Sequence, residues 1–138
     1  MEDCIFCKIA NGIIPSSKVY EDEDIFAFLD IAPLNKGHTL VIPKKHFNEI
    51  YQMPDNLLGK LFSVVKKIAC ALKQDNDGVN ILQNNGKAAG QVVGHVHVHL
   101  IPRKDNDNVN LGSWKTKEYQ ENEIKQYQDK IKNFLKNN

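Results

Sequence analysis

The stretch GHVHVHLIPR, residues 94–103, places a histidine at every second position between apolar residues. Because successive side chains of a β-strand point to opposite faces, this alternation predicts a strand with His95, His97 and His99 on one face. The apolar residues between them then face a hydrophobic core. The earlier segment GVNILQNN, residues 78–85, is also strand-like, and an Asn- and Gly-rich stretch joins the two.

Three more strands are expected earlier in the chain. They are KVYED at 18–22, DIFAFLDI at 24–31 and HTLVIPKK at 38–45, separated by turn-forming residues. Between 55 and 74 apolar residues recur every three or four positions behind a proline and an acidic residue, which predicts the longest core helix. Strands, a long helix and two more strands indicate an α+β domain with a mainly antiparallel, five-stranded sheet.

Two further helical segments flank this unit. The opening CIFCKIANG, residues 4–12, has helical spacing and stops at a glycine. The charged tail has apolar residues at helical spacing, at Ile124, Tyr127, Ile131 and Leu135. We therefore predict a domain at 1–114 and a C-terminal helical tail at 115–138, which packs on the domain or extends from it.

Composition narrows the possible functions. The chain has 138 residues, 41% of them hydrophobic and 25% charged, which fits one globular domain. Its net charge of +1 comes from interspersed residues of both signs, so nucleic acid is not expected as a partner. The N-terminus shows neither a signal peptide nor a membrane span, which predicts a cytoplasmic protein. Three cysteines in such a protein do not indicate a disulfide framework.

The row of histidines admits three interpretations from residue chemistry alone. The first is the solvent-facing side of an amphipathic strand, although threonine, lysine or glutamate would serve equally well there. The second is metal chelation, in which two histidines of one strand face hold a zinc ion that activates water. The third is covalent catalysis, because a neutral imidazole attacks phosphorus when its other nitrogen is held as a hydrogen-bond donor. A flanking histidine then donates to the phosphate oxygens.

The same stretch resembles the signature of a known family. HVHVHLIP, residues 95–102, is similar to the histidine triad motif. Residues 4–47 and 84–103 resemble the Hint branch of the histidine triad (HIT) family, in its bacterial form with an N-terminal Cys-x2-Cys pair. One His-x-His alone is a weak signal, whereas the order and spacing of these segments are specific. The resemblance implies the HIT-like fold.

The resemblance assigns a role to each histidine of the row. It implies that His97 attacks the α-phosphorus of a nucleotide and forms a nucleotidyl-histidine intermediate that water later cleaves. His99 is then the donor to the transferred phosphate, and His38 supports the triad from a neighbouring strand. The backbone carbonyl of His95 is expected to hold His97 in the tautomer that leaves Nε2 free.

The resemblance also implies a nucleotide site. Asp30 matches an acid that binds the ribose hydroxyls and Asn84 a phosphate-contacting asparagine, although both are ordinary turn residues without the resemblance. Gly90 and Gln91 fit the loop before the triad, where a small residue lets backbone N–H groups approach the phosphate. Val92 stands where relatives often have a polar residue. The implied base-binding residues are Ile5, Phe6, Ile9, Phe28, Leu29 and Ile31.

The cysteine pair is implied to belong to a structural zinc site. Such a site has four ligands, and bacterial relatives with this N-terminal pattern join two cysteines to two histidines. At the matching positions the ligands are Cys4, Cys7, His46 and His95. The alternative is a reduced pair that packs as two small hydrophobic side chains.

The implied function is hydrolysis of purine nucleoside phosphoramidates, of AMP or GMP type, or of related adenylated substrates. The implied assembly is a homodimer that joins its sheets and pairs the helix at 55–74. Three alternatives stay open: a Fhit-like dinucleoside polyphosphate hydrolase, a zinc-dependent metallohydrolase and a non-catalytic nucleotide-binding scaffold. In some relatives a C-terminal tryptophan reaches the partner's active site, but the tail here departs from that pattern, so the place of Trp114 is left open.

Overall fold

The computed structural model describes residues 3–138. Met1 and Glu2, the start of the predicted 1–114 unit, lie outside the described residues. The fold is α+β, with one antiparallel sheet in the order β1-β2-β3-β5-β4. Its strands are β1 Lys18–Glu21, β2 Ile25–Leu29, β3 Thr39–Pro43, β4 Gly78–Gln83 and β5 Val98–Arg103. The helices are α1 Ile5–Ala10, α2 Asp55–Lys73 and α3 Glu123–Asn137, with short 3-10 turns at Ile50–Gln52 and Lys87–Ala89.

The alternation of side chains along each strand divides the hydrophobic core between the two faces of the sheet. On one face, Ile25, Val41 and Leu100 pack with α2 and α3. The other face carries Phe28 and Leu40, which pack against α1. Because paired residues share a face, the pairing of Leu40 with His99 places that histidine on the α1 side of the sheet.

Helix α2 supplies the largest share of the first core. Its apolar stripe includes Leu61 and Ile68, neither of which has any solvent-exposed surface. An acidic residue, Asp55, opens the helix and Lys73 closes it, which suits the helix dipole at both ends. The predicted helix is present, and it ends one residue before the expected position, with Gln74 as its C-cap. Among residues 3–138 no helix is both long and apolar enough to span a bilayer.

The histidine row departs from the predicted strand at its beginning. Strand β5 starts at Val98, so His95 and His97 lie before it, with His95 in a bend, rather than within the sheet. The first β3–β5 pair is Val41–Val98, and the preceding backbone follows a different partner, since the N–H of Val96 donates to the carbonyl of Phe47 at 2.8 Å. The carbonyl of His95 is therefore outside the strand ladder and available to a side chain.

The C-terminal tail is helical only in its second part. Residues 115–122 form no helix, and α3 begins at Glu123. The predicted apolar face of this helix is confirmed, because Ile131 is buried in the core shared with α2 and the other three apolar residues pack against that core. Helix α3 also lies beside β1, where the Gln128 side chain donates to the carbonyl of Lys18 at 2.7 Å.

Candidate active site

A cavity of about 960 Å³ opens on the α1 face of the sheet. Its walls come from α1, β2, the loop that precedes the histidine row and the segment around Trp114. The structure brings nearly all of the predicted nucleotide-binding residues to this cavity. The predicted residues in its lining are Ile5, Phe6, Ile9, Phe28, Leu29, Asp30, Ile31, Asn84, Gly90, Val92, His97 and His99.

The first key contact in this cavity fixes the tautomer of His97. Its Nδ1 lies 2.7 Å from the carbonyl oxygen of His95, and a carbonyl only accepts hydrogen bonds. Nδ1 therefore carries the proton, which leaves a lone pair on Nε2. The ring of Phe6 packs edge-on against this imidazole, with 5.0 Å between centroids, and restrains its orientation. His97 is thus held as a neutral imidazole with a free nucleophilic nitrogen.

A second chain of hydrogen bonds gives His99 the opposite polarity. The N–H of Leu34 donates to Nδ1 of His38 at 3.1 Å, so the proton of His38 is on Nε2. That Nε2 lies 3.0 Å from Nδ1 of His99 and donates to it. The remaining nitrogen of neutral His99, Nε2, must then carry a proton. The two cavity-lining imidazoles consequently offer one acceptor, on His97, and one donor, on His99.

Burial keeps these histidines neutral. Desolvation lowers the pKa of His38 to about 4 and that of His99 to about 3, with a smaller contribution from His97 in both cases. Burial lowers the pKa of His97 as well, although its hydrogen bond to the His95 carbonyl opposes that shift. At neutral pH all three are therefore neutral imidazoles. The two assigned tautomers require this neutral state.

Asp30 directly follows β2 and lies beside His38 and His99, which we call the donor pair because His38 donates to His99 and His99 presents a donor to the cavity. Its Oδ1 accepts the N–H of Ala32 at 2.9 Å, and its Oδ2 lies 4.0 Å from Nε2 of His38. This contact is not an ion pair, because burial holds His38 in the neutral state. Burial also raises the pKa of the Asp30 carboxyl. A carboxylate with one oxygen free in a cavity is a suitable acceptor for two neighbouring hydroxyl groups.

The loop before the histidine row has one residue at the cavity and another whose side chain holds the loop together. Gly90 lines the cavity with a φ of +89°, a left-handed conformation that glycine adopts without strain. The Gln91 side chain instead accepts the N–H of Gly86 at 2.7 Å and donates to the carbonyls of Asn48 and Val93 at 2.7 and 3.0 Å. Gln91 is therefore placed as a clamp on the loop rather than on the cavity wall, where the sequence analysis expected it.

Sequence reasoning did not place Trp114 in this site. Its ring lies 5.1 Å from that of His99 and 5.9 Å from that of His38, so it covers the donor pair from within the same chain. Its backbone has a φ of +48°, uncommon for a bulky residue and evidence that the position is held by its surroundings. The contact depends on the path of the segment after β5, which no local sequence pattern indicates.

The predicted zinc ligands also come together. Cys4, Cys7, His46 and His95 each offer one ligand atom, and these atoms all lie within 4.8 Å of one another. Nδ1 of His95 is 3.3 Å from Sγ of Cys4 and 3.5 Å from Sγ of Cys7. Nδ1 of His46 is 3.3 Å from Sγ of Cys7 and 3.2 Å from Nδ1 of His95. Tetrahedral zinc with N and S ligands separates its ligand atoms by roughly 3.3–3.8 Å, which these distances approach.

Hydrogen bonds orient both imidazoles in this cluster as ligands. Nε2 of His95 donates to the carbonyl of Pro43 at 2.8 Å, and Nε2 of His46 donates to Oδ1 of Asn48 at 2.8 Å. Each histidine therefore turns an unprotonated Nδ1 toward the sulfurs, the pattern that metal-binding histidines show. Burial lowers the pKa of His95 to about 4, which also keeps it neutral. The donor set fits a structural zinc ion held by Cys4, Cys7 and the two histidines.

The helix α1 explains the spacing of the two cysteines. Cys4 is its N-cap residue, and its Sγ accepts the N–H of Cys7 at 3.4 Å. The Cys-x2-Cys spacing thereby puts both sulfurs on the first turn, facing His95. Cys70 lies exposed on α2, away from this cluster.

Comparison with known proteins decides the family. A model of the HIT domain matches residues 11–106 of the chain. The chain belongs to the HIT family. The family and the fold that the sequence predicted are therefore both confirmed.

Other HIT proteins are similar to this one over most of its length. An uncharacterized HIT-like protein of Methanocaldococcus jannaschii is 57% identical over 105 residues, 75% of this chain and 81% of that protein. The adenosine 5'-monophosphoramidase of Schizosaccharomyces pombe is 43% identical over 134 residues, 96% of this chain and 98% of that protein. Among solved structures, a zinc-bound histidine triad family protein from Mycobacterium smegmatis has a TM-score of 0.88 at 33% identity, covering 99% of this chain and 95% of that one.

The neutral donor pair of this HIT protein predicts an acid-sensitive fold. Unfolded histidines titrate near pH 6.5, whereas folded His38 and His99 have a pKa of about 4 and about 3. The unfolded chain therefore binds more protons as pH falls below 6.5. The free energy of unfolding should then decrease by on the order of 1 kcal/mol per pH unit for each histidine, down to the folded pKa.

Urea unfolding at pH 7.5, 6 and 5 measures this decrease. The variant His99→Gln lacks one of the two groups and should show a shallower slope over the same interval. Equal unfolding free energies at pH 7.5 and pH 5 would show that the pair is not buried in the neutral state.

Proposed function

We propose that this HIT protein hydrolyses purine nucleoside phosphoramidates, or related adenylated substrates, at the α-phosphate through a covalent intermediate on His97. The observation that carries this proposal is the pair of opposite tautomers in one cavity. His97 presents an unprotonated Nε2 because its Nδ1–H donates to the His95 carbonyl at 2.7 Å. His99 presents a protonated Nε2 because His38 donates to its Nδ1 at 3.0 Å. A nucleophile beside a donor is the arrangement that phosphoryl transfer needs.

The cavity suits a nucleoside monophosphate unit. The apolar side chains of α1 and β2, among them Ile5, Phe6 and Phe28, form a slot for a planar base. We assign the two ribose hydroxyls to Asp30, which lines the cavity and can accept hydrogen bonds from both. We assign the phosphate to Asn84 and the backbone at Gly90, which line the cavity in the loop before the histidine row. Supported by these positions, we assign the AMP or GMP part of the substrate to this cavity.

The first chemical step transfers the nucleotidyl group to the protein. The Nε2 lone pair of His97 attacks the α-phosphorus and forms an N–P bond, while the bond from phosphorus to the leaving nitrogen breaks. The leaving nitrogen takes a proton from water and departs as an amine. During this step the Nε2–H of His99 donates to a non-bridging phosphate oxygen, where charge is concentrated.

The second step restores the enzyme. A water molecule attacks the same phosphorus, the bond to Nε2 of His97 breaks, and the surplus proton passes to solvent. The nucleoside monophosphate leaves, and His97 recovers its lone pair because its Nδ1–H remains bound to the His95 carbonyl. Two displacement steps thus replace one difficult attack of water on the phosphoramidate.

The choice of leaving group is supported by a relative. The Schizosaccharomyces pombe protein, similar over nearly the whole of both chains, is named an adenosine 5'-monophosphoramidase. We therefore favour a phosphoramidate over a dinucleoside polyphosphate as substrate, and hydrolysis over nucleotide binding alone. The zinc-dependent metallohydrolase is less favoured, because the Nε2 atoms of His38 and His99 both carry protons and a metal-ligating nitrogen must be unprotonated. A cytoplasmic location also remains part of this proposal.

We assign zinc a structural role at Cys4, Cys7, His46 and His95. The ion would tie α1, which forms the base slot, to the segment that carries the triad. Its effect on chemistry is then indirect, since a fixed His95 backbone keeps its carbonyl in place for His97.

We also propose a homodimer formed through β4. The other edge strand, β1, is covered in part by α3, whose Gln128 occupies the carbonyl of Lys18. Strand β4 is the opposite edge of the sheet. Ile81 on β4 pairs with the core residue Leu100, so it lies on the α2 face, yet it is 50% exposed. Phe62 on α2 is exposed to 38%, which gives the helix and the strand edge one apolar side chain each.

Trapping the intermediate tests the nucleophile. Mixing the protein with adenosine 5'-phosphoramidate and quenching in alkali should leave an adenylyl group on His97, because a phosphorus–nitrogen bond to imidazole survives base. The substitution His97→Asn should abolish the adduct and lower turnover by a factor of about a thousand or more. Mass spectrometry of digested protein locates the adduct.

Two comparisons separate this chemistry from its alternatives. AMP binding and zinc content should be unchanged in His97→Asn, since neither depends on its Nε2. Faster turnover of a dinucleoside polyphosphate than of the phosphoramidate would replace the proposed substrate with the Fhit-like one. AMP binding with no turnover of any phosphoramidate would reduce the protein to a binding module.

Metal removal tests the structural role of zinc. The free energy of metal binding contributes to the free energy of folding, so Cys7→Ser should lose zinc and lower Tm by roughly 10 °C or more. The matched variant Cys70→Ser should have the zinc content and Tm of the wild type. Zinc content and calorimetry measure the two effects. In a chelator, turnover should decline only as the fold loosens. Rapid loss of turnover at unchanged Tm, with no adduct on His97, would instead support a catalytic metal.

Sedimentation tests the dimer. The protein should sediment at twice the chain mass at micromolar concentration, and Ile81→Arg should shift it toward the monomer because a charge then stands at the sheet edge. The matched control is Ile13→Arg, at a position that is 71% exposed after α1. A wild-type monomer, or equal effects of both substitutions, would remove the proposed interface.

A further inference from the structure

A segment of the C-terminal tail crosses the turn that carries His38. We call residues 114–123 the strap, and the turn comprises residues 33–37. The N–H of Lys117 donates to the carbonyl of Pro33 at 2.7 Å, and the Lys117 ammonium contacts Oδ1 of Asn35. Lys36 forms an ion pair with Glu123 at 2.9 Å. The strap therefore holds the turn along its whole length.

Tyr119 supplies the contact of the strap with Gly37, the residue directly before His38. Its hydroxyl oxygen accepts the N–H of Gly37 at 2.7 Å. The ring packs edge-on against Tyr127 of α3, with 6.0 Å between centroids, so α3 fixes where this acceptor lies. Gly37 has a φ of +97°, a conformation that lets the chain reverse directly before His38. A Cβ at Gly37 would meet Tyr127 and Pro102 at 3.3 and 3.4 Å, which shows how closely the turn is packed.

The turn in its closed form determines the tautomer of His38. The N–H of His38 donates to the carbonyl of Asn35 at 3.0 Å, and the N–H of Leu34 donates to Nδ1 of its side chain at 3.1 Å. Both bonds depend on the position of the Gly37 peptide that Tyr119 holds, since Gly37 is the last residue of the turn and directly precedes His38. If Leu34 moves away, the proton of His38 is no longer fixed on Nε2. Nδ1 of His99 then loses the hydrogen bond that His38 donates to it.

We propose that Tyr119 is a positioning residue for the donor pair, acting through Gly37 and the Leu34–His38 hydrogen bond to keep the proton of His99 on Nε2. This inference rests on the proposed function, because it assigns the donor of that reaction to His99. It gives the strap, through Tyr119, a role in the phosphate-binding step, although Tyr119 is not one of the described residues that line the cavity.

The variants Tyr119→Phe and Tyr127→Phe provide a matched test. Each variant loses one hydroxyl from the same pair of packed rings. Within residues 3–138, however, only the Tyr119 hydroxyl forms a hydrogen bond with the turn. With adenosine 5'-phosphoramidate, Tyr119→Phe should lower kcat about tenfold, the effect of one lost hydrogen bond, with KM within a factor of two. Tyr127→Phe should change neither value.

Side-chain nitrogen NMR at pH 7 gives a readout that does not require turnover. In the wild-type protein His38 and His99 should each show a single tautomer with the proton on Nε2. Tyr119→Phe should produce mixed tautomers at both residues, and Tyr127→Phe should match the wild type. Should Tyr119→Phe not fold, Lys117→Ala loosens the same turn through Asn35 and must shift the same signals.

The outcomes separate this inference from the proposed function. A wild-type protein that lacks phosphoramidase activity but shows the tautomer change in Tyr119→Phe would overturn the function and keep the positioning role. A Tyr119→Phe variant that loses only thermal stability, with wild-type kcat and tautomers, would overturn the positioning role and leave the function intact.

Discussion

The hydrogen bond from Nδ1 of His97 to the carbonyl of His95 is the contact on which the rest of the site depends. It exists because β5 begins only at Val98, which leaves that carbonyl outside the strand ladder. In a regular strand the same carbonyl would be directed at a neighbouring strand and the imidazole would be free to choose its tautomer. Because the strand is shorter than expected, a backbone carbonyl can fix the tautomer of His97.

His95 connects this contact to the cysteine and histidine cluster. Its side chain faces the two cysteine sulfurs at the start of α1, while its backbone carbonyl accepts the hydrogen bond from His97. A displacement of the cysteines would therefore also displace the carbonyl that orients His97. A second connection runs from His46 through Asn48, whose backbone carbonyl accepts a hydrogen bond from the Gln91 side-chain amide in the loop before the histidine row. The cluster is therefore joined to His97 by one route and to the loop before the histidine row by another.

The sequence was sufficient for the architecture, because periodicity reports which side of an element is buried. The 3.6-residue spacing of α2 and the alternation in the strands place the helix, the sheet and the face of His99 correctly. The resemblance then located the cavity walls at α1 and β2. What could not be predicted depends on long-range contacts: the late start of β5, the hydrogen bonds of the Gln91 side chain within its own loop, and the course of the chain that brings Trp114 to His99 and Tyr119 to Gly37.

The coverage of β1 by Gln128 has a consequence for assembly. A sheet with two open edges can add a neighbour on both sides and grow into a ribbon without limit. Here one edge already has part of its backbone occupied by a side chain of its own tail. A sheet that pairs only through its other edge closes after two copies, so the contact of α3 with β1 disfavours open-ended growth of the sheet.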